Sequence, residues 1–229
     1  MIDEKKFDIK IIFNRENAKS EKAALRCLNS FVSHGYSGEM LNGVWRDNHQ
    51  EFLNDSGIIF QNFDPKFSKH DAVVACFGSH FNIWRKIERP TLILEHDAIL
   101  SEPESFNFFE ENYLHLFNEF PIVANLGKPS FGNYLIKDKA GLYPSFSKNG
   151  KYFAGAHAYL ISPKAANIIV DHALRVGALP TDLFFDLTVF PFLFEYWPWP
   201  ISCVDNFSSI QNVTGCLAKH RYNDDYLIV

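Results

Sequence analysis

No stretch of this sequence reaches the roughly 18 consecutive apolar residues that a membrane-spanning helix needs, so no span is read in it. Met1 to Lys6 carries charge where a secretory leader needs an apolar core, so no signal peptide is read and a cytoplasmic protein is expected. The sites Asn206-Phe207-Ser208 and Asn212-Val213-Thr214 then read as chance matches to the N-glycosylation pattern. Cysteine is sparse. Cys27, Cys76, Cys203 and Cys216 form no C-x-x-C pair, which argues against a zinc knuckle and predicts reduced, structural thiols. Basic residues are outnumbered, 22 Lys and Arg against 27 Asp and Glu, giving a net charge of -5 and an isoelectric point near 6.0. They form no dense cluster, so nucleic acid is excluded as a partner. Four signatures are also missing: G-x-G-x-x-G after the first strand, G-x-x-x-x-G-K-[ST], G-x-S-x-G and H-E-x-x-H. Dinucleotide, P-loop, hydrolase-elbow and zincin readings go with them.

What is present is apolar bulk. The 229 residues are 47% hydrophobic, with 23 Phe, which suits one α/β domain spanning 1–229, and neither a repeat nor a Pro/Gly linker divides them. The pattern predicts a strand over Phe7–Phe13, a helix over 19–32 closed by His34-Gly35, and a short strand over Met40–Val44. Residues 45–68 read as loop with an embedded short element. A helix over 70–88 stops before Pro90, and a strand begins at Thr91. A helix over 105–120 and a strand over 121–127 follow. Residues 128–150 read as loop, 151–162 as strand, and Ser162-Pro163 caps a helix over 163–176. Thr181 reads as the cap of a further element. The aromatic run 184–200 is interrupted by Pro191, Pro198 and Pro200, and 201–204 reads as a last strand before a polar tail.

The organising stretch is Thr91-Leu92-Ile93-Leu94-Glu95-His96-Asp97-Ala98-Ile99-Leu100. A buried strand here delivers two acids and an imidazole at its C-terminal end, which is where open α/β sheets place ligands. Such a group is costly to bury without a cation, so a divalent ion or a cationic substrate group is expected there.

Together with Ile11-Ile12-Phe13-Asn14-Arg15, Ala75-Cys76-Phe77-Gly78-Ser79-His80-Phe81-Asn82-Ile83-Trp84, Gly155-Ala156-His157-Ala158-Tyr159-Leu160-Ile161-Ser162, Lys164-Ala165-Ala166 and Pro180-Thr181-Asp182, this stretch resembles glycosyltransferase family 25. That group includes bacterial lipooligosaccharide transferases and the domains that glycosylate collagen hydroxylysine. The resemblance implies an α/β fold of GT-A type, a Rossmann-like mixed sheet flanked by helices, which transfers a hexose from a nucleotide-sugar donor, UDP-linked, to a glycan acceptor by inversion. It implies a divalent cation, Mn²⁺ or Mg²⁺, held by an acidic motif that typically reads Glu-Asp-Asp. Here that motif is Glu95-His96-Asp97, so Asp97 is the expected metal ligand, with His96 joining it or weakening the site. His220 is a candidate remote ligand. Asp182, then Asp186, are the candidate catalytic bases. Asn14, Arg15, Ser79, His80, Glu95 and His157 are the candidate donor-binding residues, and the acceptor would be a cell-surface glycan such as lipopolysaccharide, met at the inner face of the membrane.

Plain structural readings stand beside these. Asp182 also reads as a helix cap, Arg15 as a surface arginine, and His80 beside Phe81 and Trp84 as a satisfied core imidazole. Trp197-Pro198-Trp199-Pro200 reads as a sugar-stacking platform or, more simply, as an aromatic core edge. Two rival functions remain. One is a nucleotide-sugar or glycan-binding protein without catalysis, and the other is a nucleotidyltransferase on the same fold, against which the missing Gly/Lys-rich phosphate loop speaks.

Overall fold

A computed structural model describes residues 6–60, 70–129, 134–144, 156–204 and 226–228. In chain order its elements are β1 (Asp8–Phe13), α1 (Ala18–Val32), β2 (Glu39–Asn42), α2 (His49–Ser56), α3 (His70–Trp84), β3 (Thr91–Glu95), β4 (Ala98–Leu100), α4 (Pro103–Tyr113), α5 (Leu116–Glu119), β5 (Val123–Asn125), β6 (Tyr134–Ile136), β7 (Gly141–Pro144), β8 (Ala158–Ile161), α6 (Pro163–Val176), α7 (Thr181–Phe184), β9 (Leu193–Trp197), β10 (Ile201–Cys203) and β11 (Tyr226–Ile228).

Seven strands form one mixed sheet in the order β2-β1-β3-β8-β5-β9-β7. β1 runs parallel to β2 and β3, and β5 to β9, while β8 is antiparallel to both β3 and β5 and β7 is antiparallel to β9. Because side chains alternate along a strand, neighbouring residues feed two cores. Ile12, Ile93, Tyr159 and Ile161 pack with Phe77, Phe81 and Trp84 of α3 and Ala165, Ala166 and Ile169 of α6. Ile11, Leu92, Leu94 and Leu160 pack on the other face with Cys27 and Phe31 of α1, Phe106 and Phe109 of α4 and Phe117 of α5. The result is a helix–sheet–helix sandwich, the α/β architecture expected from the sequence. Among the described residues no helix is long and apolar enough to cross a membrane.

Local chemistry explains the element ends. The Asn17 side chain accepts from the Lys19 and Ser20 backbone N–H groups and starts α1. Ser162 caps α6 by accepting from Ala165 N–H at 3.1 Å, and the same hydroxyl oxygen accepts from Ile122 N–H at 3.0 Å, tying the helix to the lead-in of β5. On α3, Gly78 leaves room for the Phe52 ring, since a Cβ there would lie 2.9 Å from it.

Several expectations are corrected. The helix expected over 105–120 is two, α4 and α5, because Phe117 and Asn118 bond back only three residues, to Leu114 and His115. Residues 128–150 are not all loop: β7 is the sheet edge, where Pro144 at its end needs no ladder partner. The prolines of 184–200 flank β9, which lies inside the sheet between β5 and β7, rather than breaking it. The last predicted strand leaves the main sheet, as β10 pairs antiparallel with β4. Pro180, not Thr181, is the N-cap of α7, and the Thr181 hydroxyl instead faces the Cys76 Sγ at 3.6 Å. The strand read over 151–162 is Ala158–Ile161, and its expected start at 151–155 lies outside the described residues.

Ser162→Ala would strip a fully buried hydroxyl from two backbone N–H groups. Loss of a cap plus one orphaned buried donor predicts about 2–3 kcal/mol less unfolding free energy, read from the urea midpoint.

Candidate functional site

Because β8 is antiparallel to its neighbours, its start lies at the edge where β1, β3 and β5 end. The register puts Leu94 opposite Ala158, and beyond it Glu95 N–H donates to the His157 carbonyl at 2.8 Å. β1 ends beside them, with Ile12 opposite Glu95. Three separate stretches of sequence thus deliver polar side chains to one sheet edge.

On the α3 side of that edge a hydrogen-bonded chain is buried. The Trp84 Nε1–H donates to the Tyr159 hydroxyl at 2.8 Å, and that hydroxyl meets His80 Nδ1 at 2.8 Å. The far nitrogen of His80, Nε2, lies 3.4 Å from Glu95 Oε1. His80 is 1% exposed while the Glu95 side chain is 33% exposed, so the carboxylate is where this chain meets solvent. Burial alone would raise the Glu95 carboxyl, but the His80 contact and the imidazoles of His80, His157 and His96 outweigh it and hold the group below its usual range. Burial pushes Asp182 up, and the Glu95 charge adds to this, so Asp182 stands close to the same cluster. Cys76 completes it, since its sulfur, a His80 ring nitrogen and a Glu95 oxygen lie within 4.8 Å of one another, a Cys/His/Glu group able to hold a metal.

Asp97 faces the other way. Its Oδ2 accepts from the Cys203 thiol at 2.9 Å, while its Oδ1 is buried with no hydrogen-bond partner. Burial and the Glu95 charge push its carboxyl up. Burial, with the Asp97 charge second, likewise pushes the Cys27 thiol on α1 up to about 12. Glu95 and Asp97 therefore straddle the end of the sheet, one toward α3 and one toward α1 and β10. His157 is 6% exposed, and burial lowers its pKa despite Asp97 and Glu95. Its Nε2 abuts Gly127, where a Cβ would occupy the ring's place.

A second buried carboxylate escaped the sequence reading. Glu195 of β9 has no exposure, and its Oε2 accepts from Asn125 Nδ2 and Trp199 Nε1, both at 3.0 Å, while Oε1 has no hydrogen-bond partner. Asn125 in turn brackets Gly127, accepting from its N–H at 3.1 Å and donating to its carbonyl at 3.2 Å. Glu195 thereby supports the backbone against which His157 rests. Burial raises its carboxyl to about 7, against the lowering pull of the two donors. In sequence it sits in an aromatic run that reads as core. Cys76 and Tyr159 were hidden the same way, and only the i, i+4 spacing of Cys76 and His80 signals a shared helix face.

The other candidates are placed as follows. Asn14 ends β1, and its Oδ1 accepts from Glu16 N–H at 2.8 Å in a tight turn. Arg15 is exposed, its backbone N–H donating to Asn42 Oδ1 at 3.0 Å, an oxygen shared with Trp45 Nε1 at 3.1 Å. The Ser79 hydroxyl is engaged within the fold, bonding the Ala75 carbonyl at 2.8 Å and accepting from Val44 N–H at 2.8 Å. Asp186 Oδ1 accepts from the Thr188 N–H and hydroxyl at 2.8 and 2.7 Å. His220 lies outside the described residues.

A mixed sheet with carboxylates and imidazoles gathered beyond its strand ends is the arrangement of a ligand-binding α/β protein. Residues 29–185 match the family described as glycosyltransferase family 25 (LPS biosynthesis protein), a span that contains α3, Glu95-His96-Asp97, His157 and Asp182. The chain belongs to that family, and is thereby a transferase of the glycosyltransferase class. No curated protein matches its sequence. Among solved structures it is similar to the inositol-1-phosphate CTP transferase from T. maritima, at 12% identity and a TM-score of 0.42 over 87% of this chain and 90% of that one.

The Glu195 environment gives stability a pH dependence. A folded pKa of about 7 against an unfolded value of 4.5 means the native state holds the proton more tightly, so its contribution is complete below about pH 4.5 and is lost as pH rises through 7. Glu195→Gln, which mimics the protonated form, is expected to remove that loss and raise stability at about pH 8 by up to about 3 kcal/mol. Urea midpoints of both proteins at acidic and alkaline pH measure it.

Proposed function

We propose that this protein transfers a hexose from a UDP-linked nucleotide-sugar to a hydroxyl of a cell-surface glycan such as lipopolysaccharide, by inverting displacement on a GT-A type fold, in the cytoplasm at the inner face of the membrane. Family membership supports the reaction class. The observation that carries the site is that Glu95 stands near enough for its charge to act on both Asp97 and Asp182, with the buried Asp97 Oδ1 unpartnered.

Two carboxylates that raise or oppose each other's charge, with an orphaned oxygen on one of them, suit a cation. In this reading Asp97, with His96 and Glu95, holds Mn²⁺ or Mg²⁺, and the nitrogen donor favours Mn²⁺. Such an ion, when bound, neutralises the charge that grows on the departing nucleoside diphosphate. Asn14 and Arg15, at the neighbouring strand end, border the nucleotide, with Arg15 reaching a phosphate. His157 and His80 border the donor sugar, and Ser79 supports the helix that carries His80. Asp182 takes the proton from the acceptor hydroxyl as its oxygen attacks the anomeric carbon and the bond to the diphosphate breaks. The raised pKa of Asp182 makes it a stronger base than an ordinary carboxylate. Asp186 is the alternative base.

Incubation with a panel of nucleotide-sugars, with and without Mn²⁺, tests the reading through release of nucleoside diphosphate. Release with at least one donor is expected. Binding without release from any donor would leave a nucleotide-sugar-binding protein, and neither binding nor release would end the enzyme reading. Asp97→Ala should abolish donor binding. Asp182→Asn should leave donor binding unchanged and slow transfer by about 100-fold or more.

A further inference from the structure

The donor set on the α3 side of the sheet edge is chemically unlike an all-oxygen site. Cys76 and His80 stand at i and i+4 on one helix face, and Glu95 approaches from the end of β3. We infer that Cys76 Sγ, His80 Nε2 and Glu95 Oε1 form a binding site for a thiophilic divalent ion, Zn²⁺, distinct from the cation proposed at Asp97.

The geometry supports three ligands on one ion. Zn–N and Zn–O bonds of roughly 2.0–2.1 Å at a tetrahedral angle place nitrogen and oxygen about 3.4 Å apart. The His80 Nε2 to Glu95 Oε1 separation is 3.4 Å, long for an imidazole–carboxylate hydrogen bond and right for two ligands of one metal. The sulfur lies within 4.8 Å of a His80 ring nitrogen and a Glu95 oxygen, close enough to serve as the third ligand. The Glu95 side chain is 33% exposed, so a fourth ligand such as water can reach an ion held here.

The surroundings act as an outer shell. Tyr159 OH, 2.8 Å from His80 Nδ1, has two lone pairs and can accept from both the Trp84 N–H and Nδ1–H, the tautomer that would turn the Nε2 lone pair toward an ion between Cys76 and Glu95. Thr181 Oγ1, 3.6 Å from the sulfur, is placed to donate to a thiolate. Without metal the thiol keeps its proton, because burial and then the Glu95 charge push its pKa well above the usual value. Binding therefore exchanges one proton for the ion: the S–H bond breaks, the S–Zn bond forms and H⁺ leaves to buffer.

The test reads the ion itself and is independent of sugar transfer, so it stands or falls apart from the proposed function. Co²⁺ added to the full chain should give a near-ultraviolet thiolate-to-cobalt charge-transfer band and tetrahedral visible bands. Equimolar Zn²⁺ should erase them, and a large excess of Mg²⁺ should not. Zinc titrations in two buffers of different ionisation heat should report about one proton released per ion. Cys76→Ser should lose the charge-transfer band and bind Zn²⁺ at least about 100-fold more weakly, while Cys203→Ser keeps the band. Absence of a thiolate band in the unmodified protein overturns the site, whatever the variants do. A band that survives Cys76→Ser but vanishes in Cys203→Ser overturns it equally, by moving the metal to Asp97.

Discussion

The Tyr159 hydroxyl is the joint on which the sheet edge depends. β8 sits in the middle of the sheet, and α3 lies across it as a helix buried on nearly every side. Apolar packing fixes how closely the two approach, but Phe77, Phe81 and Trp84 could satisfy it at more than one rotation or shift of the helix. Two hydrogen bonds through one hydroxyl, one accepted from Trp84 and one shared with His80, allow one arrangement only, because a buried Trp N–H or imidazole left unbonded costs about 1–3 kcal/mol. The placement of His80, and through it the charge on Glu95, follows from that constraint. A polar network inside an apolar layer here sets position more than it adds stability.

Charge is arranged around this joint in a fixed order. Glu95 is held below the ordinary carboxylate range while Asp97 and Asp182 are pushed above theirs, and in both the Glu95 charge is a cause. The four acidic groups at the edge therefore differ in role although they are alike in kind. Glu95 carries the firm negative charge, Asp97 and Asp182 hold protons more readily, and Glu195 is half-protonated near neutrality. This spread is set by burial and by three nearby imidazoles rather than by sequence spacing. It is the pattern that lets one carboxylate face cations while another accepts a proton.

Elements with a local cause could be read from the sequence. Asn17 and Ser162-Pro163 announce helix starts, and the runs in β1 and β3 alternate or stay apolar as buried strands do. The direction in which β3 ends at Glu95-His96-Asp97 was legible for the same reason, and so was a short element after Pro180. Features with a distant cause were not. β9 carries three prolines around it and is a strand only because β5 and β7 flank it. Pro144 can end β7 because the strand is an edge, a fact of topology. Ser79 reads as a donor ligand, yet its hydroxyl is taken by Val44, 35 residues away. Tyr159 and Glu195 look like core because they are core, the half-buried Cys76 is like them in sequence pattern alone, and their chemistry depends on what meets them from other elements.

The fate of His96 follows from these facts. Where the family resemblance implies a second acid, this chain has an imidazole, which adds a nitrogen donor without adding negative charge. Burial and the Glu95 charge push the Asp97 and Asp182 carboxyls up, while Glu95 itself is held below its usual range. Mg²⁺ prefers oxygen ligands and gives up water reluctantly, so an imidazole at 96 offers it little. Ions that accept nitrogen and sulfur lose far less by the exchange. The histidine at 96 and the Cys76–His80 pair thus shift the edge in the same direction, away from all-oxygen coordination. Glu95 is also the one acid common to the two proposed cation sets, and it has one carboxylate to offer. As proposed, the thiophilic ion and the donor's cation would compete for that charge.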